Sequence, residues 1–114
     1  MEIYLKVLVC GGREYKDYSK LKLVLDGIRP TEIIHGAARG ADSLAGDYAR
    51  SNGVPCREFP ADWETFGRRA GYVRNTKMLD EGKPNLVVAF PGGKGTAMMV
   101  KIAKEAGIEV KVIE

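Results

Sequence analysis

Residues 85–96 read NLVVAFPGGKGT, an apolar run ended by proline and followed by glycines that alternate with a lysine and a threonine. The run from Asn85 to Phe90 has the length and β-branched content of a strand, and its unbroken hydrophobicity fits a strand covered on both faces. The helical stretch expected over Thr96–Ala106 begins inside the glycine loop. Strand, glycine loop and helix in immediate succession form the first half of a crossover unit, which joins parallel strands.

The same alternation extends in both directions. Ile3–Cys10 (IYLKVLVC) is a β-rich run that meets Gly11-Gly12. Over Asp17–Ile28 the apolar residues Leu21, Val24, Leu25 and Ile28 recur at helical spacing, with Asp17 or Ser19 as the cap and Pro30 as the stop. Glu32–His35 is a short buried strand before Gly36, and Asp42–Asn52 a helix closed by Gly53. Val54–Phe59 is a third strand, stopped by Pro60. Asp62 caps a long helical stretch from Trp63 to about Glu81, with Gly71 as a bend or close-packing point. On that stretch Trp63, Phe66, Ala70 and Val73 form the core-facing set. Glu109–Ile113 supplies a fifth strand. Five strands alternating with four helices predict an α/β fold: a Rossmann-like, doubly wound, parallel five-stranded sheet with helices on both faces.

Composition bounds the rest. The 114 residues suffice for one domain, residues 1–114, with a core of their own, and a homo-oligomer fits a chain of this size. An apolar fraction of 45% and a charged fraction of 29% exclude a disordered chain. The net charge of +3 suits an anionic ligand but falls short of a dedicated nucleic-acid binder. No run reaches membrane-spanning length and Met1 leads directly into a strand, which points to a cytoplasmic protein without a membrane partner. Cys10 and Cys56 read as small core residues. No metal cluster and no cofactor is expected, and the single histidine, His35, reads as structural.

Fourteen glycines exceed the roughly eight of average usage, and many fall in three loops after strands. These are Gly11-Gly12-Arg13-Glu14-Tyr15, Gly36-Ala37-Ala38-Arg39-Gly40-Ala41-Asp42 and Pro91-Gly92-Gly93-Lys94-Gly95-Thr96. In a parallel sheet all strand-to-helix loops leave the same edge, so the three converge. Backbone without Cβ can approach a phosphate closely, and a helix starting there adds unpaired N–H groups and a positive dipole end. The plainer alternative is that the glycines only permit tight turns. Neither the P-loop spacing nor GxGxxG occurs.

Arg13 and Arg39 sit inside glycine loops and carry forks suited to phosphate, although either can pair instead with Glu14 or Asp42. Asp42 and Thr96 can each serve simply as helix caps. On the third helix Arg68, Gly71 and Asn75 share a stripe, with Arg74 beside them, and Asn75 can pair with a base or ribose. A basic solvated helix face is the competing account of these arginines. The candidate ligand-binding set is therefore Gly11, Gly12, Arg13, Gly36, Arg39, Gly40, Asp42, Arg74, Asn75, Pro91, Gly92, Gly93, Gly95 and Thr96.

GGREY, HGAARGADSLAGDYAR, FPADW, AGYVRN and FPGGKGTAMM, in this order over nearly the whole chain, resemble the YspA-like (cpYpsA-related) family of the SLOG superfamily. That superfamily comprises Rossmann-like domains that include the Lonely Guy phosphoribohydrolases and the DNA-processing protein DprA. Together with the double winding, the resemblance implies the strand order 3-2-1-4-5, and it implies a nucleotide-derived ligand over the PGGKGT loop, of the NAD, ADP-ribose or nucleoside monophosphate class. Lonely Guy enzymes carry PGGxGTxEE, and Met98 and Met99 stand here at those glutamate positions. Arg74 is similar to the arginine of their Arg-Lys motif. Tyr72 departs from the proline of many relatives. Methionine cannot activate water or stabilise an oxocarbenium-like state, so catalysis would need Arg74 with Asp42, Glu14 or Asp62. The leading expectation is a nucleotide-binding sensor, carrier or sequestering module with a small-molecule partner. An N-glycosidic hydrolase of the phosphoribohydrolase type and a DprA-like nucleic-acid-binding domain are the alternatives.

Overall fold

The computed structural model describes residues 4–114, so Ile3 of the expected first strand lies outside the described residues. The strands are β1 (Lys6–Cys10), β2 (Glu32–His35), β3 (Cys56–Glu58), β4 (Leu86–Ala89) and β5 (Glu109–Val112). They pair in the order β3-β2-β1-β4-β5, and every pair is parallel. The fold is thus the expected Rossmann-like doubly wound sheet. Its switch point lies between β1 and β4, where Val7 to Cys10 run in register with Leu86 to Ala89.

Alternation along β1 explains the two layers. Val7 and Val9 face α1 (Tyr18–Ile28) and α2 (Ala41–Asn52), meeting Leu21, Leu25, Ala45 and Tyr48. Leu8 and Cys10 face the opposite side and join Met78, Met99 and Ala103. Those residues come from the helical segment after β3 and from α5 (Lys94–Glu105). Cys10 is buried, and its thiol is pushed up to about 12 by burial and then by Asp42. Cys56 is exposed, contrary to its expected core role, because β3 is a sheet edge and all three of its residues face solvent.

The long helix expected after Asp62 is broken into four pieces. Asp62 caps α3 (Trp63–Phe66) by accepting the Thr65 N–H at 3.1 Å. A 3₁₀ turn (Gly67–Arg69), α4 (Ala70–Lys77) and a π turn (Met78–Gly82) follow. The break lies at Gly67, whose φ of 56° and ψ of −129° no helix can hold, and not at Gly71, which sits in the first turn of α4. This break turns α3 outward and leaves Trp63 and Phe66 exposed, whereas Ala70 stays buried and Val73 half-buried. Trp63 and Phe66 are therefore not core residues. Among the described residues no helix is long and apolar enough to cross a membrane.

Candidate functional site

The loops after β1, β2 and β4 meet above the switch point, and the first of them holds the other two together. The Gly12 N–H donates to the Pro91 carbonyl at 2.9 Å, and the Gly12 carbonyl accepts the Ala41 N–H at 3.1 Å. Side chains at these places would prevent the contact. A Cβ on Gly12 would stand 3.1 Å from both Gly92 Cα and the Pro91 carbonyl oxygen. Gly40 has a φ of 80° and lies against the backbone of Gly12 and Arg13. Gly92 packs on the Thr96 hydroxyl and the Gly12 nitrogen. Gly40, Pro91 and Gly92 are thus engaged in loop-on-loop packing, and none of them is among the residues that line the cleft.

The β2–α2 loop is held from inside. Asp42 is not the helix cap, which is Gly40; its Oδ2 accepts the N–H groups of Gly36 at 3.1 Å and Ala38 at 3.2 Å. Ala37, between them, has a φ of 59°, unusual for a residue with Cβ, and its N–H donates to His35 Nδ1 at 3.0 Å. Burial raises the Asp42 carboxyl above its ordinary range, opposed by the Ala38 and Gly36 N–H groups, His35 and Arg74.

An open cleft of about 650 Å³ lies over these loops. Gly11, Gly12, Arg13, Asp42, Arg74, Asn75, Gly93, Gly95 and Thr96 all line it. At one end stands the start of α5. Gly93 is its N-cap and offers no side-chain cap; Thr96 is two residues inside the helix and is not the cap. The N–H groups of Lys94, Gly95 and Thr96 have no acceptor among the described residues. Open space surrounds Gly93 and Gly95 where a Cβ would stand. An anion placed there meets several unpaired donors and the positive end of a twelve-residue helix.

Arg74 lines the cleft from α4. Its Nη1 donates to the Gly36 carbonyl and its Nε to Asn75 Oδ1 at 2.9 Å, while Nη2 has no hydrogen-bond partner among the described residues. Burial lowers the Arg74 pKa, Asp42 opposes that shift, and Arg13 adds to it. Asn75 is buried and donates to the Gly95 carbonyl at 3.3 Å. It ties α4 to the glycine loop, so its amide is not directed wholly at a ligand. Met98 flanks Asn75 Nδ2 at 3.7 Å and is half-buried in the cleft wall; Met99 is buried in the core.

Arg39 and Gly36 line a smaller hollow beside the cleft. Arg39 pairs with Glu14 at 2.9 Å, and both side chains are exposed. Glu14 is not among the cleft-lining residues, and Asp62 is occupied as a cap, so Asp42 is the one carboxylate among those residues. Sequence reasoning missed Trp63, Tyr72 and Lys94 as lining residues. Trp63 had a signal: it follows Pro60 and the Asp62 cap directly after β3, at the same sheet edge as the glycine loops. The Arg13 guanidinium lies 5.7 Å from its ring centroid. Among the described residues no group of three or more His, Cys, Asp or Glu could hold a metal ion.

The loops that build this cleft recur in related proteins. A family model described as "YspA, cpYpsA-related SLOG family" matches residues 5–66, which carry the first two loops and run through the end of α3. The chain is 35% identical over 117 residues to the Gene 61 protein of Mycobacterium phage D29, covering 92% of this chain and 93% of that protein. With more than half of its length matched by the family model, the chain belongs to the YspA, cpYpsA-related SLOG family.

Proposed function

We infer that the cleft binds a phosphate-bearing nucleotide or nucleotide derivative. The observation that carries this reading is the α5 start, where three unpaired N–H groups and a bare glycine cap face an open cleft bordered by Arg13, Arg68, Arg74 and Lys94. Trp63 and Tyr72, each at least half exposed, offer flat apolar surface for a base in the same cleft. A volume of about 650 Å³ is in the range of small-molecule sites. The fold and the family are compatible with this ligand class. The protein acts as a cytoplasmic sensor, carrier or sequestering module for a small nucleotide, not as a nucleic-acid or membrane binder.

Among the described residues of the cleft wall, none beyond Asp42 can act as a general acid or base of the carboxylate type. A hydrolase reading rests on Asp42 alone, whose raised pKa suits an acid but whose Oδ2 is already held by two N–H groups. Calorimetric titration with AMP, ADP-ribose and NAD, together with chromatography for released base, separates the two. Binding without product supports the module. Base release abolished by Asp42→Asn makes the protein an enzyme, and absence of any binding removes the nucleotide reading.

A further inference from the structure

The cleft does not end at Trp63. A second hollow of about 350 Å³ adjoins it, and the two share Arg13, Ala38, Trp63 and Arg74 as common borders. Arg39 lines only the second hollow and comes from the β2–α2 loop, so arginines from three different segments surround it. Among the described residues that line it, none is a carboxylate. Three cations around one concavity repel one another, and an anion between them relieves that repulsion.

The partners these arginines have leave them available. Arg74 keeps Nη2 free while Nε and Nη1 anchor it to Asn75 and the Gly36 carbonyl, so it is held in place and still has a donor to offer. That position exists because Gly36 lacks a Cβ, which would otherwise stand 2.8 Å from Arg74 Cζ. The Arg39–Glu14 pair is exposed at 72% and 79% of the two side chains, and an exposed pair of this kind contributes little and exchanges readily. Arg13 rests over the Trp63 ring at the border and faces both hollows.

We propose that the second hollow is an anion subsite, and that the physiological ligand is a nucleotide carrying two anionic groups, one at the α5 start and one among Arg13, Arg39 and Arg74. This rests on the nucleotide reading of the main cleft and narrows it. The second group is either the next phosphate of a diphosphate or a separate phosphate on the sugar; both present the same chemistry to the arginines. Arg39 discriminates between ligands with one and with two such groups, because it borders the second hollow and not the first.

The test is calorimetric titration of the full chain with AMP, ADP and adenosine 3′,5′-bisphosphate at fixed ionic strength. ADP or the bisphosphate binds about tenfold tighter than AMP, the gain expected of charge-assisted hydrogen bonds to one added phosphate. Arg39→Ala removes most of that advantage, and Lys104→Ala, at the far end of α5, leaves it intact. Arg39 is exposed, so thermal unfolding of the variant stays at the wild-type temperature. Whichever of ADP and the bisphosphate shows the advantage identifies the source of the second phosphate. AMP binding as tightly as both, or an advantage that survives Arg39→Ala, overturns the subsite while the nucleotide reading stands. Failure of all three to bind overturns the nucleotide reading and the subsite with it.

Discussion

Arg74 occupies the space that a Cβ on Gly36 would fill, and it donates a hydrogen bond to the carbonyl of that same glycine. One missing methyl group thereby sets the position of a cation that lines the cleft. Gly36→Ala should displace Arg74, a flexible side chain that can move aside. Stability should change by about 1 kcal/mol, while nucleotide affinity falls roughly tenfold. Gly40→Ala should behave in the opposite way, because its φ of 80° and the backbone of Gly12 and Arg13 oppose any Cβ. A loss of about 3 kcal/mol is expected in urea unfolding. Equal stability losses for the two variants would contradict this division of roles.

The exposure of Trp63 makes it a probe. Trp63→Ala should cost under about 1 kcal/mol, against about 3–5 kcal/mol for a tryptophan in a core. Trp63 is the single tryptophan of the chain, so its fluorescence reports the cleft directly. Saturating nucleotide should quench it or shift its emission. Unchanged emission under conditions where calorimetry shows full occupancy would place the base elsewhere.

His35 gives the protein a pH dependence of stability. Burial lowers its folded pKa below the ordinary 6.5, against the pull of Asp42 and Glu58. The unfolded chain therefore takes up the proton first. His35's contribution is complete above about pH 6.5 and is lost as pH falls through the folded pKa. Asp42 acts with the opposite sign, since its raised folded pKa makes protonation favour the native state as pH falls through it. Urea unfolding between pH 7.5 and 5 should show stability declining with acidity. His35→Asn, which keeps an acceptor for the Ala37 N–H, should flatten that decline. A decline of equal slope in the variant would assign it to other groups.

Met98 and Met99 differ sharply although they are neighbours. Met99 is 1% exposed in the core, so Met99→Glu buries an unpaired carboxylate and should cost on the order of 4 kcal/mol. Met98→Glu enters the half-open cleft wall beside Asn75 and should fold normally, at most about 1 kcal/mol less stable. The wild-type protein should release no adenine from AMP at an efficient rate, because phosphate contacts alone stabilise ground and transition states equally. Single-turnover assays of base release check this. Rapid release by the wild-type protein that is lost in Asp42→Asn would show that Asp42 performs the missing chemistry.

Much of the architecture was legible in the sequence. Runs such as Val7–Cys10 and Leu86–Phe90 can be buried only in a sheet covered on both faces, and their alternation with helical periods leaves parallel pairing as the solution. The convergence of the three glycine loops followed from that topology, since every strand of a parallel sheet points the same way. What each glycine does there was not legible. Gly40, Gly92 and Gly93 look alike in sequence, yet two pack loop on loop and one caps α5 beside open space. The difference depends on which backbone lies within a Cβ's reach, a property of chain segments far apart in sequence. The same holds for Trp63. Its apolar spacing with Phe66 and Ala70 predicts a core face, but the turn at Gly67 breaks the helix on which that spacing depends. Local pattern determined the sheet and the edge where the site lies. Only the packing of the loops decided which N–H groups, arginines and aromatic faces were left free to meet a ligand.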